Sequence, residues 1–245
     1  RKRCGCRAFP EDPELETERL DGHSPGADHP VHTELSDAHL TPELRLHLIT
    51  PNCTLWRSPH SEAPFADPYW AFYWPGGQGH RSLHPRPPGS GAGASGLGPR
   101  RRQRSLRHRR RHRRGPAVLL NDIDPVACVA ARLNLQENLE QCKTCDVGIN
   151  SENLLKADVF PWDLILIGDM FYDEAFAAVL YPWLKSASAE GCSVLIGDPG
   201  RHGLSARIRS RLTKLEEYNL PENCCLENGA SHPLLFGDSA SKRST

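Results

Sequence analysis

Residues 164–167, Leu-Ile-Leu-Ile, run without a break into Gly168-Asp169-Met170-Phe171-Tyr172-Asp173. So short an apolar run, closed by glycine and acid, predicts a strand buried on both faces, as the central strands of parallel sheets are. Open α/β sheets take ligands beyond the carboxyl ends of their strands. Asp169 and Tyr172 therefore stand where chemistry is done. Two more apolar runs end in the same way: residues 117–120 lead into Asn121-Asp122-Ile123-Asp124-Pro125, and residues 192–196 into Gly197-Asp198-Pro199-Gly200.

Helix-like stretches lie between these runs. Residues 125–139 open with Pro125 behind the capping candidate Asp124, and place Val126, Val129, Ala130 and Leu133 on one face. Residues 174–185 and 204–215 behave similarly. Strand and helix in alternation predict the α/β class, a doubly wound parallel sheet with helices on both faces. Residues 217–220 and 233–236 are expected to close it as an antiparallel pair. Thr41-Pro42-Glu43 is expected to start a short helix with Leu44 and Leu48 on one face.

Residues 79–116 do not fit this pattern. They contain only Arg, Gly, Pro, His, Ser, Leu, Ala and Gln, and 12 of the 38 are Arg. No packed core can be built from them. One reading is a solvated basic arm that binds nucleic acid through its phosphates. The other is a frame or exon error. All eight residue types have GC-rich codons, and moving the codons of residues 98–110 by one base, with third bases free, permits Val-Leu-Asp-Val-Gly-Ser-Gly-Ala-Cys-Gly-Thr-Ala-Ala. That product is a strand end followed by an acidic, glycine-rich loop, which a nucleotide-like cofactor needs between first strand and first helix. Charge favours the second reading. The chain as a whole balances 30 basic against 30 acidic residues, but without this segment 18 basic residues face 30 acidic ones. An acidic globule binds nucleic acid poorly and attracts basic protein surfaces.

Several motifs together carry a family resemblance: Leu40-Thr41-Pro42-Glu43-Leu44 with Leu48-Ile49-Thr50-Pro51, Asp67-Pro68-Tyr69-Trp70-Ala71-Phe72-Tyr73-Trp74-Pro75-Gly76-Gly77-Gln78, Asn121-Asp122-Ile123-Asp124-Pro125, Gly168 through Glu174, and Val194 through Arg201. In these stretches the chain closely resembles the seven-β-strand methyltransferases, in the branch that methylates lysines of the electron transfer flavoprotein β subunit. The likeness covers residues 37–78 and 117–237, and residues 79–116 depart from it where the family carries its glycine-rich cofactor loop. It implies a seven-stranded Rossmann-like sheet, S-adenosylmethionine as cofactor, that flavoprotein subunit as substrate, and work in the mitochondrial matrix, with the cytoplasm as a second compartment.

Asp122, at the end of its strand, is placed to accept hydrogen bonds from two ribose hydroxyls, and Asp124 to cap the helix. Trp74 is the aromatic best set to cover a cofactor, because Pro75-Gly76-Gly77 beside it lets backbone come close. Its neighbours Tyr69, Trp70, Phe72 and Tyr73 read as packing. Asn153 reads as a surface turn; the resemblance makes it the adenine contact. Methyl transfer to an amine is an in-line displacement that needs a free lone pair, and a lysine of pKa near 10.4 is neutral only about once in a few thousand at pH 7. Desolvation lowers that pKa, and the acid and phenol of Asp169 and Tyr172 are the pair expected to dock and aim the amine. Asp198-Pro199-Gly200 reads as a strand-end turn, set by the resemblance beside the substrate entrance.

Nine cysteines include Cys142-x-x-Cys145 without a second pair at zinc spacing, so no metal is expected. No apolar run approaches the roughly 18 residues of a membrane span. Residues 1–36 and 238–245 read as disordered, residues 37–78 and 117–237 as one domain, and the protein as a monomer. Residues 1–7 are basic enough for a mitochondrial presequence, whereas residues 11–37 are not. Two functions compete with methyl transfer: nucleic-acid binding through the Arg run, and a pseudoenzyme folded like the family but without its cofactor loop.

Overall fold

The computed structural model describes residues 32–58, 65, 68–80, 117–143, 145–158, 160–220, 222, 224–225 and 234–238. The strands are β1 (Glu34–Ser36), β2 (Leu46–Leu48), β3 (Ala117–Asn121), β4 (Asp146–Asn150), β5 (Leu164–Gly168), β6 (Ser193–Asp198), β7 (Leu212–Glu217) and β8 (Leu234–Asp238). The helices are α1 (Thr54–Arg57), α2 (Pro75–Gln78), α3 (Pro125–Glu137), α4 (Leu139–Cys142), α5 (Glu174–Ala189) and α6 (Ala206–Arg209), with 3-10 turns at Tyr69–Ala71 and Leu154–Lys156. The chain is mixed α/β, and among the described residues no helix is long and apolar enough to cross a membrane.

Three sheets, not one of seven strands, are present among the described residues. β1 pairs antiparallel with β2, β3 pairs parallel with β4, and a four-stranded sheet runs in the order β5-β6-β8-β7. β5 and β6 are parallel, while β8 is antiparallel to both β6 and β7. An antiparallel closing pair forms, but not from the expected residues 217–220: its first strand runs Leu212–Glu217 and shares only Glu217 with them, while β8 takes up residues 234–236 as expected. The expected helix over residues 204–215 shrinks accordingly to α6, capped by Ser205, whose Oγ accepts from the Ile208 N–H. Beyond it the backbone takes its partners from β8.

The expected helix after Thr41 also fails, and part of the segment expected to be disordered is a strand: Glu34–Ser36 pairs with Leu46–Leu48. The free edge of β2 is satisfied by side chains. Asn134 Oδ1 accepts from His47 N at 2.7 Å, Asn138 Oδ1 accepts from Arg45 N at 2.9 Å, and Asn138 Nδ2 donates to Arg45 O at 2.7 Å. Asn134 on α3 and Asn138 at its C-cap, four residues apart, stand in for a neighbour strand. Expectations about residues 1–31, 81–116 and 239–245, the glycine-rich loop included, lie outside the described residues.

The main core lies on one face of the four-stranded sheet. Val194 and Ile196 of β6 pack with Ala177, Leu180 and Leu184 of α5, with Phe171, Leu204 and Phe236 around them and Ile165 and Ile167 of β5 alongside. The other face of β5 is open, so the strand is not buried on both faces: Leu164 is 44% and Leu166 49% exposed. Val118 and Leu120 of β3 are also exposed. Backbone pairing shows the same one-sidedness. Ser193 N donates to Asp163 O and Asp169 N to Gly197 O, so the alternation of a parallel ladder turns the backbone groups of Leu164, Leu166 and Gly168 away from β6. Asp122 N donates to Asn150 O, which likewise turns Leu119 and Asn121 of β3 away from β4.

Asn138→Ala removes both bonds to Arg45 and leaves a half-buried strand edge unsatisfied. The expected cost is about 1–3 kcal/mol, read as faster hydrogen exchange at Arg45 with β7 and β8 unchanged.

Candidate active site

β5 and β6 end together, and the chain turns sharply at both ends. Asp169 follows β5 with a φ of 56°, the one positive φ outside glycine among the described residues. An aspartate tolerates this left-handed conformation better than most residues, at a cost of roughly 1 kcal/mol. The turn is held from several sides. Asp169 N donates to Gly197 O at 2.9 Å. Its side chain, 7% exposed, accepts from Gly76 N and Gly77 N on Oδ2, and from Arg201 Nε at 3.0 Å and a terminal guanidinium nitrogen of Arg201 at 2.8 Å on Oδ1. Burial pushes this carboxyl above its ordinary value, with the guanidinium and the two N–H donors pulling against it.

α2 can lie so close because four glycines meet there. A Cβ at either Gly76 or Gly197 would run into the other residue's carbonyl oxygen, and one at Gly168 would come within 2.8 Å of the Gly77 backbone. Pro75 at the first helical position and Trp74 just before it follow from this seat. Trp74 is half-buried, donates from Nε1 to Tyr69 O at 2.8 Å, and carries the Arg201 guanidinium over its ring at 5.1 Å. His80, just past α2, donates from Nε2 to Ile167 O at 2.9 Å. Trp70 and Phe72 pack with Ile49, Leu55 and Ala71 in a second core, in line with their reading as packing, while Tyr69 is exposed.

Tyr172 is 51% exposed and stacks on Phe176 with centroids 5.4 Å apart and planes 12° off parallel. Asp173 caps α5, its Oδ1 accepting from Phe176 N at 2.8 Å. On β6, Asp198 is fully buried. Its Oδ1 accepts from Gly200 N and Arg201 N, both at 2.7 Å, while Oδ2 has no partner, and burial raises its pKa. The strand-end turn expected at Asp198-Pro199-Gly200 is thus present, with Gly200 at a φ of 97°.

The two cofactor candidates further up the chain share the carboxyl end of the β3–β4 pair. Asp122 is exposed, with Oδ1 accepting from Asp124 N at 2.9 Å, and Asp124 caps α3 through Val126 N. Asn153 caps the 3-10 turn through Leu155 N at 3.1 Å. Asn121 ties the two loops together, its Nδ2 donating to Asn150 Oδ1 at 2.7 Å and Glu152 O at 2.9 Å. Trp74, Asp169 and Tyr172 are therefore gathered at one sheet end, Asp122 and Asn153 at another. Among the described residues no recorded hydrogen bond joins the two groups, and no cluster of three His, Cys, Asp or Glu side chains could hold a metal ion. Arg201 was not picked out as a site residue from sequence. A lone arginine after a Pro-Gly turn carries no local signal, and its part comes from contacts 32 residues away at Asp169.

Curated relatives decide the family. A Xenopus laevis protein named electron transfer flavoprotein beta subunit lysine methyltransferase is 40% identical over 210 residues, 80% of this chain and 79% of its own length. Proteins of the same name from Mus musculus and Homo sapiens are 39% and 38% identical, over 79% and 82% of this chain and 75% and 77% of their own lengths. The chain belongs to this lysine methyltransferase family. No family model and no solved structure matches it.

In this family member the two buried carboxyls carry a sign that can be tested. Their folded pKa values are raised above the ordinary 3.8, so the folded chain holds protons that the unfolded chain has released. That contribution to stability is complete below pH 3.8 and is lost as pH rises through the raised values. Asp198→Asn fixes the neutral shape, and its melting temperature should gain on the parent's as pH climbs from about 4 to about 7; parallel melting curves would contradict the assignment. Arg201→Ala leaves Asp169 buried with backbone donors alone, and urea denaturation should show a loss of roughly 3 kcal/mol.

Proposed function

We propose that this chain transfers methyl groups from S-adenosylmethionine to lysine side chains of the electron transfer flavoprotein β subunit. The observation that carries the reading is identity of 38–40% across about four fifths of the chain with relatives named for that activity. The arrangement at the end of β5 and β6 supports it from the chemistry.

A lysine must arrive as a neutral amine. The lip of β5 suits that need, because Arg201 already neutralises Asp169 and leaves no bare carboxylate to hold an ammonium ion. Sequence reading has Asp169 docking the amine. With both oxygens engaged, it does so through the wall it holds, fixing Trp74 on one side of the lip. Tyr172, exposed and backed by Phe176, meets the incoming side chain on the other. Orientation and desolvation then supply most of the rate, and no covalent nucleophile is called for.

The donor set suits the cofactor. Asp122 keeps an exposed carboxylate oxygen for ribose hydroxyls, and Asn153 uses only Oδ1 in its cap, leaving its amide N–H groups for an adenine edge. Trp74 offers an aromatic face. The bound cofactor supplies an electrophilic methyl on a sulfonium. We propose further that β4-β3 and β5-β6-β8-β7 are two parts of one seven-stranded sheet, one strand wide apart. Among the described residues β3 and β5 each have a strand partner on one edge only, and both sheets carry exposed leucines, as that arrangement requires. The compartment implied by the resemblance is the mitochondrial matrix.

The test incubates the full chain with S-adenosylmethionine and the purified β subunit, and reads methyl additions by mass spectrometry and cofactor binding by calorimetry. Asp169→Asn and Tyr172→Ala should each slow transfer by about 10- to 100-fold. A chain that binds no cofactor while a form with the glycine-rich loop restored does bind is a pseudoenzyme as it stands. Undiminished transfer by Asp169→Asn removes the role given to that residue.

A further inference from the structure

The loop and turn after β6 carry a charge pattern opposite to that of the body. Outside residues 79–116 the chain has 18 basic and 30 acidic residues, yet the 13 residues 199–211 hold four arginines and no Asp or Glu. Arg201 is spent on Asp169. Arg207, Arg209 and Arg211 are exposed along α6 and just beyond it, and among the described residues no carboxylate is recorded in an ion pair with Arg207 or Arg209.

This basic ridge is tied firmly to the candidate active site. Gly203 N donates to Phe171 O at 3.0 Å, and a Cβ on Gly203 would lie 2.8 Å from Asp173 O, so the loop is pressed against the segment bearing Tyr172. Leu204, 1% exposed, anchors it in the main core. At the foot of the ridge, between α5 and α6, lies an open cavity of about 350 Å³ lined by Glu174, Ala178, Pro182, Ser205, Arg207 and Arg211. Pro182 lies inside α5 and has no N–H to give to the Ala178 carbonyl. A rigid cationic surface beside the lip, on an otherwise acidic body, fits an acidic partner segment by charge complementarity. The net acidity of the body disfavours a polyanion as long as nucleic acid.

We propose that residues 205–211 form a docking ridge for an acidic segment of the acceptor protein, which presents its lysine toward Tyr172. The inference rests on the proposed methyl transfer for the identity of the acceptor, and docking is measured apart from catalysis. Purified electron transfer flavoprotein β subunit is immobilised, and the full chain is bound to it by surface plasmon resonance at about 50 mM and about 500 mM salt. Arg207→Glu with Arg209→Glu should weaken binding about 10-fold at the lower salt and by less than about twofold at the higher. The milder pair Arg207→Gln with Arg209→Gln should weaken it about threefold, and decides the matter if the reversed pair fails to fold by its melting curve. Residues 100–114 are untouched in both variants, so any loss belongs to the ridge.

Unchanged affinity in the variants, or no binding by the parent chain, overturns the ridge. So does a duplex oligonucleotide that binds the parent and loses affinity in the same variants, which would assign these arginines to nucleic acid. Docking that fails in the variants while the parent transfers no methyl group upholds the ridge and removes the proposed activity; transfer with variant-insensitive docking does the reverse.

Discussion

One buried carboxylate joins three distant stretches of this chain. Asp169 takes two N–H donors from α2, a two-pronged guanidinium from the loop after β6, and its own backbone bond to Gly197. A buried carboxylate is stable only when paired and hydrogen-bonded, so these contacts stand or fall together. The aromatic wall at Trp74, the exposed Tyr172 and the ridge beyond Gly203 are all positioned from that point. The positive φ at Asp169 is the local cost of turning its side chain inward across the strand ends.

The neutral pairing at this lip has a chemical meaning. A free carboxylate would bind a lysine as ammonium and keep its proton, whereas a carboxylate already matched by Arg201 does not. Aromatic surface at the same sheet end, Trp74 and the Tyr172–Phe176 stack, lowers the local polarity further. Under the proposed methyl transfer, such a setting would favour the reactive form of the acceptor. The acidic body with its acid-free ridge adds a means of orienting a protein acceptor that the lip alone does not supply.

Local pattern was a good guide wherever an element's partners lie close in sequence. Residues 164–167 fall in β5 and residues 193–196 in β6, Pro125 opens α3 behind the Asp124 cap, and α5 begins at Glu174, because each depends on apolar periodicity and capping within a few residues. Pattern misled where distant backbone made the choice. Leu44 and Leu48 are four apart and suggest a helix, yet residues 46–48 became a strand because β1 and the asparagines of α3 offered hydrogen bonds on both edges. Residues 212–215 left their expected helix for β8 on the same ground.

The candidate site divides along the same line. By itself the sequence determined which residues stand at strand ends, Asp122, Asp169 and Asp198 among them, because an apolar run stopping at an acid marks the place where a strand leaves the sheet. Only tertiary structure decided what those acids do. Asp198 is buried with one oxygen unmatched, Asp122 faces solvent, and Asp169 is locked by Arg201 and two glycine amides. Burial and partnering are properties of what packs against a side chain, and that is set by residues tens of positions away.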